Sequence, residues 1–114
     1  MTAAAALRKP ENSSETLEAC LERLDDAIHQ KVRLGAMSTL MAHGEVDFNF
    51  LKSALNVSDG NLSTHLSVLE THGYIAVRKE FVGKRPRTTY TPTPAGRKAF
   101  DAYIAALEVL VKSL

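Results

Sequence analysis

The stretch NVSDGNLSTHLSVLETHG constrains the fold of this chain more than any other part of the sequence. Ser58 is a small hydroxyl residue in front of a polar first turn, which is typical of a helix N-cap. Leu62, Leu66 and Leu69 then recur at spacings of four and three, so they form one buried stripe. Gly73 suits the left-handed position that ends a helix. The sequence therefore predicts a helix that starts at Ser58 and has an opposite face of small, mostly uncharged polar residues.

A β-hairpin with a basic turn is predicted directly after that helix. The segment YIAVRKEFV has the β-branched, alternating pattern of a strand, and TTYTPT is its predicted partner. GKRPR is the predicted turn between them. After the hairpin, Thr93 is a helix cap in front of Pro94, a residue that suits the first helical position. The apolar residues that follow predict one long helix that continues to Leu114.

Three further helices are predicted before the polar-faced helix. Apolar residues spaced by three and four predict an amphipathic helix over residues 14–28 and a second over residues 31–42, which Gly44 ends. EVDF is predicted to be a short extended link, and NFLKSALN a brief helix. Two helices joined by a short turn and followed by a basic-tipped hairpin make a winged helix-turn-helix. The predicted fold is therefore mainly α with a small β-hairpin, with extra N- and C-terminal helices for dimerisation.

Length and composition fit a single domain. A chain of 114 residues buries enough apolar surface for one core, and 45% hydrophobic with 24% charged residues is ordinary for a globular protein. We predict a flexible N-terminal tail over residues 1–13 and one domain over residues 14–114. No apolar run approaches the about 20 residues needed to cross a bilayer. Because the start MTAAAALRKPEN also lacks the pattern of a secretory signal, we predict a cytoplasmic protein with no membrane partner.

The charged residues are unevenly distributed along the chain. A net charge of +1 would by itself argue against a nucleic-acid partner, since binding to duplex DNA is driven largely by phosphate neutralisation. Residues 74–98, however, hold seven basic side chains and a single acidic one, Glu80. A positive patch on an otherwise acidic body is typical of a protein that approaches a polyanion.

Two segments carry a family resemblance, VSDGNLSTHLSVLETHGYI and FVGKRPRTTYTPTPAGRKAF. In these the chain resembles the small winged-helix transcriptional regulators of the MarR/ArsR-like group, over about residues 25–107. The resemblance implies a homodimer that binds a two-fold-related DNA site. Arsenic and metal sensors of the wider group carry a Cys-x-Cys type motif, which is absent here because Cys20 is the only cysteine. Metal sensing is therefore not carried over, and no cofactor is predicted.

The predicted site residues form three groups. The recognition helix, which the resemblance and the polar face both indicate, comprises Ser58, Asp59, Gly60, Asn61, Ser63, Thr64, His65 and Ser67. The wing, predicted to contact the flanking backbone or minor groove, comprises Lys79, Gly83, Lys84, Arg85, Pro86, Arg87 and Thr88. The predicted dimer interface, formed by apolar residues of the first and last helices, comprises Leu17, Leu21, Leu24, Tyr103, Leu107, Leu110, Val111 and Leu114. Arg78 and Lys79 precede the tip on a strand, where they can simply face water, so both rank below Lys84, Arg85 and Arg87 as predicted contacts.

No catalytic or metal site is predicted. His65 and His72 lie seven residues apart on one helix, about 10 Å at ~1.5 Å per residue, too far to share an ion. There is no glycine-rich phosphate loop, no nucleophile elbow and no acid pair in an apolar setting, so the chain is predicted not to be an enzyme. Cys20 lies on an apolar stripe and is predicted to be a buried small hydrophobe, with a thiol switch as the alternative.

These observations predict a sequence-specific DNA-binding transcriptional regulator, a repressor, that acts as a homodimer. The alternative is a winged-helix protein-interaction module without sequence-specific DNA binding. Steep salt dependence of binding would separate the two, because phosphate contacts produce it and an apolar protein interface does not. A small-molecule effector could bind in the dimer cleft, and the sequence does not identify it.

Overall fold

The computed structural model describes residues 16–113 of the chain. In chain order the elements are α1 (Leu17–Glu22), α2 (Lys31–His43), β1 (Val46–Asp47), α3 (Phe48–Leu55), α4 (Asp59–Thr71), β2 (Ile75–Val82), β3 (Arg85–Pro92) and α5 (Pro94–Lys112). Contacts divide them into two units, one of residues 26–101 and one that holds the described residues before and after these. The first unit is a winged helix-turn-helix, so the predicted fold class is confirmed. The predicted tail over residues 1–13 lies outside the described residues.

The core of the winged unit is formed where α2 packs against α3 and α4, and α4 against β2. The predicted stripe of α4 is buried, with Leu62, Leu66 and Leu69 at most 3% exposed. Met37 and Leu51 bring α2 and α3 into the same core. Each such side chain contributes about 1.5–3 kcal/mol when fully buried. Because one face of α4 is committed to this core, its opposite face must look outward.

Local signals place the ends of the central helices. The Ser58 hydroxyl oxygen accepts a hydrogen bond from the Asn61 amide at 3.1 Å, so the predicted N-cap of α4 is confirmed. Gly44 and Gly73 have φ values of 86° and 76°, and each lies just beyond the end of a helix, as predicted. Asn56, with φ 54°, makes the short turn between α3 and α4.

The first helix is shorter than the sequence predicts. The pattern indicated a helix over residues 14–28, but α1 ends at Glu22 and residues 26–30 form turns. The Arg33 guanidinium donates hydrogen bonds to the carbonyl oxygens of Ala27, at 2.5 Å, and Asp26, at 3.5 Å. A side chain from α2 thus stabilises the turn at these two residues.

The sheet has three antiparallel strands in the order β1-β3-β2, one more than predicted. The predicted link EVDF contains β1, in which Val46 pairs with Tyr90. In the hairpin, Val82 pairs with Arg85, which leaves two residues, Gly83 and Lys84, in the turn. The prediction of a five-residue GKRPR turn is therefore wrong, because its last three residues belong to β3. Gly83 supplies the positive φ, 67°, that a tight hairpin turn requires.

The last helix, α5, runs for 19 residues from Pro94. Thr93 caps it as predicted, since its hydroxyl oxygen accepts a hydrogen bond from the Gly96 amide at 2.9 Å. In the part of the chain that the structure describes, no helix, α5 included, has the length and apolar character needed to cross a membrane.

Candidate nucleic-acid interface

The outward face of α4 is a continuous exposed polar surface. Its exposed residues are Asp59, Gly60, Asn61, Ser63, Thr64, Ser67, Glu70 and Thr71, the last two of which the predicted site omitted. Among the described residues, the side chains of Asn61, Ser63 and Ser67 have no hydrogen-bond partner. Their donors and acceptors are therefore free for an external partner. Thr64 donates its hydroxyl proton to the Gly60 carbonyl at 2.9 Å and keeps its lone pairs as acceptors.

An ion pair links the start of α4 to α3. The Lys52 ammonium lies 2.8 Å from the Asp59 carboxylate, and both side chains are well exposed. An exposed pair of this kind contributes at most about 1 kcal/mol to stability. Its effect on the surface is larger, because it offsets the negative charge that Asp59 would otherwise present to a phosphate backbone. Sequence analysis missed Lys52, since the pairing depends on the angle between two helices.

His65 is not part of the outward face, which corrects its predicted place in the recognition helix. It is half-buried, and Arg33 donates a hydrogen bond from Nη1 to His65 Nδ1 at 2.9 Å. Burial and, second, the adjacent Arg33 charge lower the pKa of His65 from its usual value. The imidazole is therefore neutral at about pH 7 and gives no cation to a phosphate. The spacing of residues along the chain gave no indication of a role for Arg33. In the structure its guanidinium, on α2, forms hydrogen bonds to His65 on α4 and to residues 26–27.

The lowered pKa of His65 predicts a specific pH dependence of stability. Below about pH 6.5 the unfolded chain binds a proton at His65 that the folded chain resists, so stability falls as the pH drops from about 6.5 towards the folded pKa. His65→Asn removes this titration and keeps an acceptor for Arg33. Urea unfolding from about pH 8 to about pH 5 should show the stability of the wild type falling relative to the variant. Parallel pH profiles for the two proteins would contradict the assignment.

The free positive charge of the hairpin is concentrated at its tip. Lys79, Lys84 and Arg85 are exposed, and none of them has an ion-pair partner among the described residues. Gly83 and Pro86 are also exposed, whereas Thr88 is half-buried.

The arginines nearer the base of the hairpin are paired. Arg78 is exposed, as expected, but it also lies 2.6 Å from the Glu45 carboxylate and 3.6 Å from that of Glu80. Arg87 lies 3.6 Å from the Asp47 carboxylate. The charge of Arg87 is thus partly offset by β1, a strand that the sequence did not predict.

The residues predicted for a dimer interface divide into exposed and buried ones. Leu17, Leu21 and Val111 are 62%, 51% and 57% exposed, respectively. The remaining members differ: Leu107 and Leu110 are half-buried, Leu24 and Tyr103 are buried within the chain, and Leu114 lies outside the described residues. Leu24 and Tyr103 therefore have almost no surface to offer a partner. Cys20 is 2% exposed, which confirms its predicted burial.

No set of three or more His, Cys, Asp or Glu residues within residues 16–113 is arranged to hold a metal ion. The histidines contact other groups. His43 packs edge-on against Phe50 with ring centroids 5.1 Å apart, and His72 Nδ1 lies 2.9 Å from the Val68 carbonyl oxygen.

Comparison with known proteins identifies the family. Residues 32–111 match the model of a winged helix DNA-binding domain. The chain belongs to this family. Membership confirms the predicted resemblance to winged-helix regulators and the prediction that the chain is not an enzyme. This winged-helix domain is accordingly that of a DNA-binding transcriptional regulator.

Several proteins are similar to this winged-helix domain over most of its length. The uncharacterized protein MJ0432 of Methanocaldococcus jannaschii is 36% identical over 83 residues, which cover 73% of this chain and 90% of that protein. The transcriptional regulator homologue of Pyrococcus horikoshii OT3 is 26% identical with a TM-score of 0.77, covering 85% and 97% of the two chains. BpsR of Bordetella bronchiseptica, described as regulated in DNA binding by 6-hydroxynicotinic acid, shares the fold, at 17% identity, a TM-score of 0.65 and coverage of 83% and 72%.

Proposed function

We propose that this protein is a sequence-specific repressor that binds DNA as a homodimer, with α4 in the major groove and the hairpin on the flanking backbone or minor groove. The observation that carries the proposal is the coexistence, in one unit, of a helix face with unpartnered polar side chains and a hairpin tip with unpaired cations, both among the described residues. The first can distinguish bases and the second can neutralise phosphates. The protein-interaction alternative needs neither.

The exposed face of α4 has the chemistry for reading base edges. The major groove is wide enough to admit one helix, and Asn can form a bidentate pair with adenine. Asn61 lies in the first turns of α4 with its amide free, and the small Gly60 beside it lets the backbone approach closely. Ser63 and Ser67 add hydroxyls that donate or accept. We therefore assign sequence preference mainly to Asn61 and Thr64.

The hairpin tip has the chemistry for positioning on the phosphate backbone. Lys84 and Arg85 are exposed beside a two-residue turn, and each phosphate contact releases condensed counterions. Such contacts strengthen binding to every sequence. Arg87 contributes less in this proposal, because Asp47 lies within ion-pair distance of it.

The exposed apolar residues of the terminal helices support the proposed dimerisation. Steric exclusion of other proteins from the promoter supports the proposed repression. Leu17 and Leu21 on α1, and Val111 on α5, present apolar side chains that a second copy would cover. A two-fold dimer would place its two α4 helices in successive major grooves, about 34 Å apart. A protein that occupies promoter DNA in this way excludes other proteins, which supports repression. The DNA partner also supports the proposed cytoplasmic location.

The proposed regulator responds to a small-molecule effector. The structure of NadR, which shares the fold at 18% identity, was determined in complex with 4-hydroxyphenylacetate. Together with the description of BpsR, this supports a small molecule as the class of signal for the present chain. We assign no residues to its binding.

Single substitutions separate the two proposed roles. Asn61→Ala should reduce discrimination between the preferred and a scrambled duplex by about tenfold, within the range expected for removing one bidentate pair with a base. Arg85→Ala should weaken binding to both duplexes alike and lower the salt slope by about one for each phosphate that the variant no longer neutralises. Fluorescence anisotropy at several salt concentrations measures both quantities.

Matched variants control for indirect effects. Asn49→Ala makes the same change at an exposed position of α3, and Lys98→Ala removes an exposed cation of α5 that lies outside the hairpin. Asn49→Ala should leave discrimination unchanged, and Lys98→Ala should leave the salt slope unchanged. An equal loss of discrimination in Asn61→Ala and Arg85→Ala would contradict this division of roles.

A further inference from the structure

The tip of the hairpin carries an exposed apolar patch that the proposed phosphate contacts do not explain. Phe81 is 73% exposed, more than any other large apolar side chain of the described residues, and the adjacent Val82 is 55% exposed. Isolated exposed apolar residues are common, but here a phenyl ring and the exposed Pro86 lie side by side. Covering one phenyl side chain contributes about 1.5–3 kcal/mol, so this patch favours contact with a partner.

The strand register places Phe81 and Pro86 side by side. They are direct partners across the β2–β3 pair, so both side chains project from the same face of the hairpin. Ile75 and Tyr90 belong to that same face nearer the base, where they are buried. The face that contributes to the core at the base thus continues beyond the core at the tip. Phe81 and Pro86 are the apolar part of this face that residues 16–113 leave exposed.

The charges around this apolar pair are basic. Lys79 lies on the same face two residues before Phe81, Lys84 lies in the turn, and Arg85 begins β3 next to Pro86 but on the other face. Glu80, the acidic residue of the hairpin, points to the other face and lies near Arg78. An apolar group with unpaired cations beside it is complementary to a polyanion that has an apolar interior. Duplex DNA is such a partner, because its stacked bases lie between two phosphate backbones.

The size of the minor groove determines which part of the hairpin can enter it. The groove is about 6 Å wide, and two paired strands are already about 4.8 Å apart between their backbones. The whole hairpin is therefore too broad, but a single projecting ring fits. Apolar side chains, Phe and Pro among them, are used by minor-groove proteins to separate neighbouring base pairs and kink the duplex.

We propose, on the basis of the DNA-binding function proposed above, that Phe81, supported by Pro86, is a wedge that enters the minor groove of bound DNA and partly unstacks one base step. Lys79, Lys84 and Arg85 hold the phosphates on either side of this step. Since pyrimidine–purine steps such as TA and CA open most easily, the wedge adds sequence preference at a position without a base hydrogen bond.

The test uses the full-length protein and its highest-affinity duplex. The duplex carries donor and acceptor dyes at its ends to report bending, and 2-aminopurine placed in turn at each step under the hairpin to report unstacking. The wild type should shorten the end-to-end distance and raise 2-aminopurine fluorescence at one step. Phe81→Ala should abolish both signals and weaken binding about tenfold, with an unchanged salt slope because no charge is removed.

Two variants control the result. Phe81→Leu retains an apolar wedge and should preserve the bend. Phe50→Ala removes another exposed phenyl ring, 44% exposed on α3, and should also leave the bend intact. A wild-type complex with a straight, fully stacked duplex would overturn the wedge, as would a bend that survives in Phe81→Ala. A loss of dimer mass in Phe81→Ala would overturn it too and assign the patch to contact between copies. A wild type that binds no duplex would instead refute the underlying DNA-binding proposal.

Discussion

Gly96→Ala is expected to destabilise the winged unit by about 3 kcal/mol, at the upper end of the usual cost of overpacking. A Cβ atom on Gly96 would overlap the Tyr74 carbonyl oxygen and come within 2.8 Å of the carbonyl carbon. Both atoms belong to the backbone, so no side-chain rotation relieves the clash. The start of α5 is also fixed in place by two hydrogen bonds of Thr93, from its amide to the Tyr74 carbonyl at 3.0 Å and from its hydroxyl to the Gly73 carbonyl at 2.6 Å.

Gly60→Ala is the matched control for this effect. A Cβ atom there meets nothing within 4 Å, and the position is helical with no positive φ. Its stability should therefore be unchanged or greater by up to about 1 kcal/mol, because alanine favours the helix. Urea unfolding followed by circular dichroism compares the two variants with the wild type. Equal stability of Gly96→Ala and Gly60→Ala would show that α5 can move away from Tyr74 at little cost.

Val111→Glu is expected to convert the proposed dimer into single chains and to weaken operator binding by about 100-fold, since the linkage between two half-sites is lost. Val111 is 57% exposed on α5, and a carboxylate there would be buried without a partner in an apolar interface. Leu21→Glu, at a residue 51% exposed on α1, should have the same result if both helices contribute. Sedimentation at micromolar concentration measures the mass directly.

Ala105→Glu provides the control for the charge itself. Ala105 is exposed on α5 and lies, by helical periodicity, on the opposite side from Leu107 and Val111. The Ala105→Glu variant should leave both the sedimentation mass and the DNA affinity unchanged. A two-chain mass that persists in Val111→Glu would place the interface elsewhere, and a one-chain mass for the wild type would refute the homodimer.

The features of the fold that the sequence predicted correctly are those set by nearby residues. The start of α4 depends on a hydroxyl three positions from the amide that it binds, and the burial of Leu62, Leu66 and Leu69 depends on the helical period alone. Gly44 and Gly73 end their helices through their own backbone conformation. All of these are visible in a window of a few residues.

The features that it missed depend on residues far apart in the chain. The turn that follows α1 is held by Arg33 hydrogen bonds from α2, and β1 exists because Val46 and Asp47 pair with Tyr90 and Thr89. A two-residue strand has too few residues to show alternation. The length of the hairpin turn is set by the β2–β3 register. The sequence predicted too long a turn because Pro86 and its basic neighbours resemble loop residues.

The candidate interface shows the same division. The helical period and the family resemblance predicted most of the residues of α4 that face outward, but not that His65 is half-buried. The partners that modify this surface were not predicted, because Lys52 reaches Asp59, and Asp47 reaches Arg87, only in the folded chain. Phe81 was predicted as an ordinary strand residue, since alternation does not show where the core ends.

The most direct test of the central claim is a titration of the wild-type protein with a labelled duplex from upstream of its own gene and with a scrambled duplex of equal length. Fluorescence anisotropy would be recorded at several salt concentrations. We expect tight binding that prefers the upstream duplex and that weakens steeply with salt, with a slope set by the number of phosphates contacted. Weak binding that is indifferent to both sequence and salt would contradict a sequence-specific DNA-binding regulator and favour the protein-interaction module.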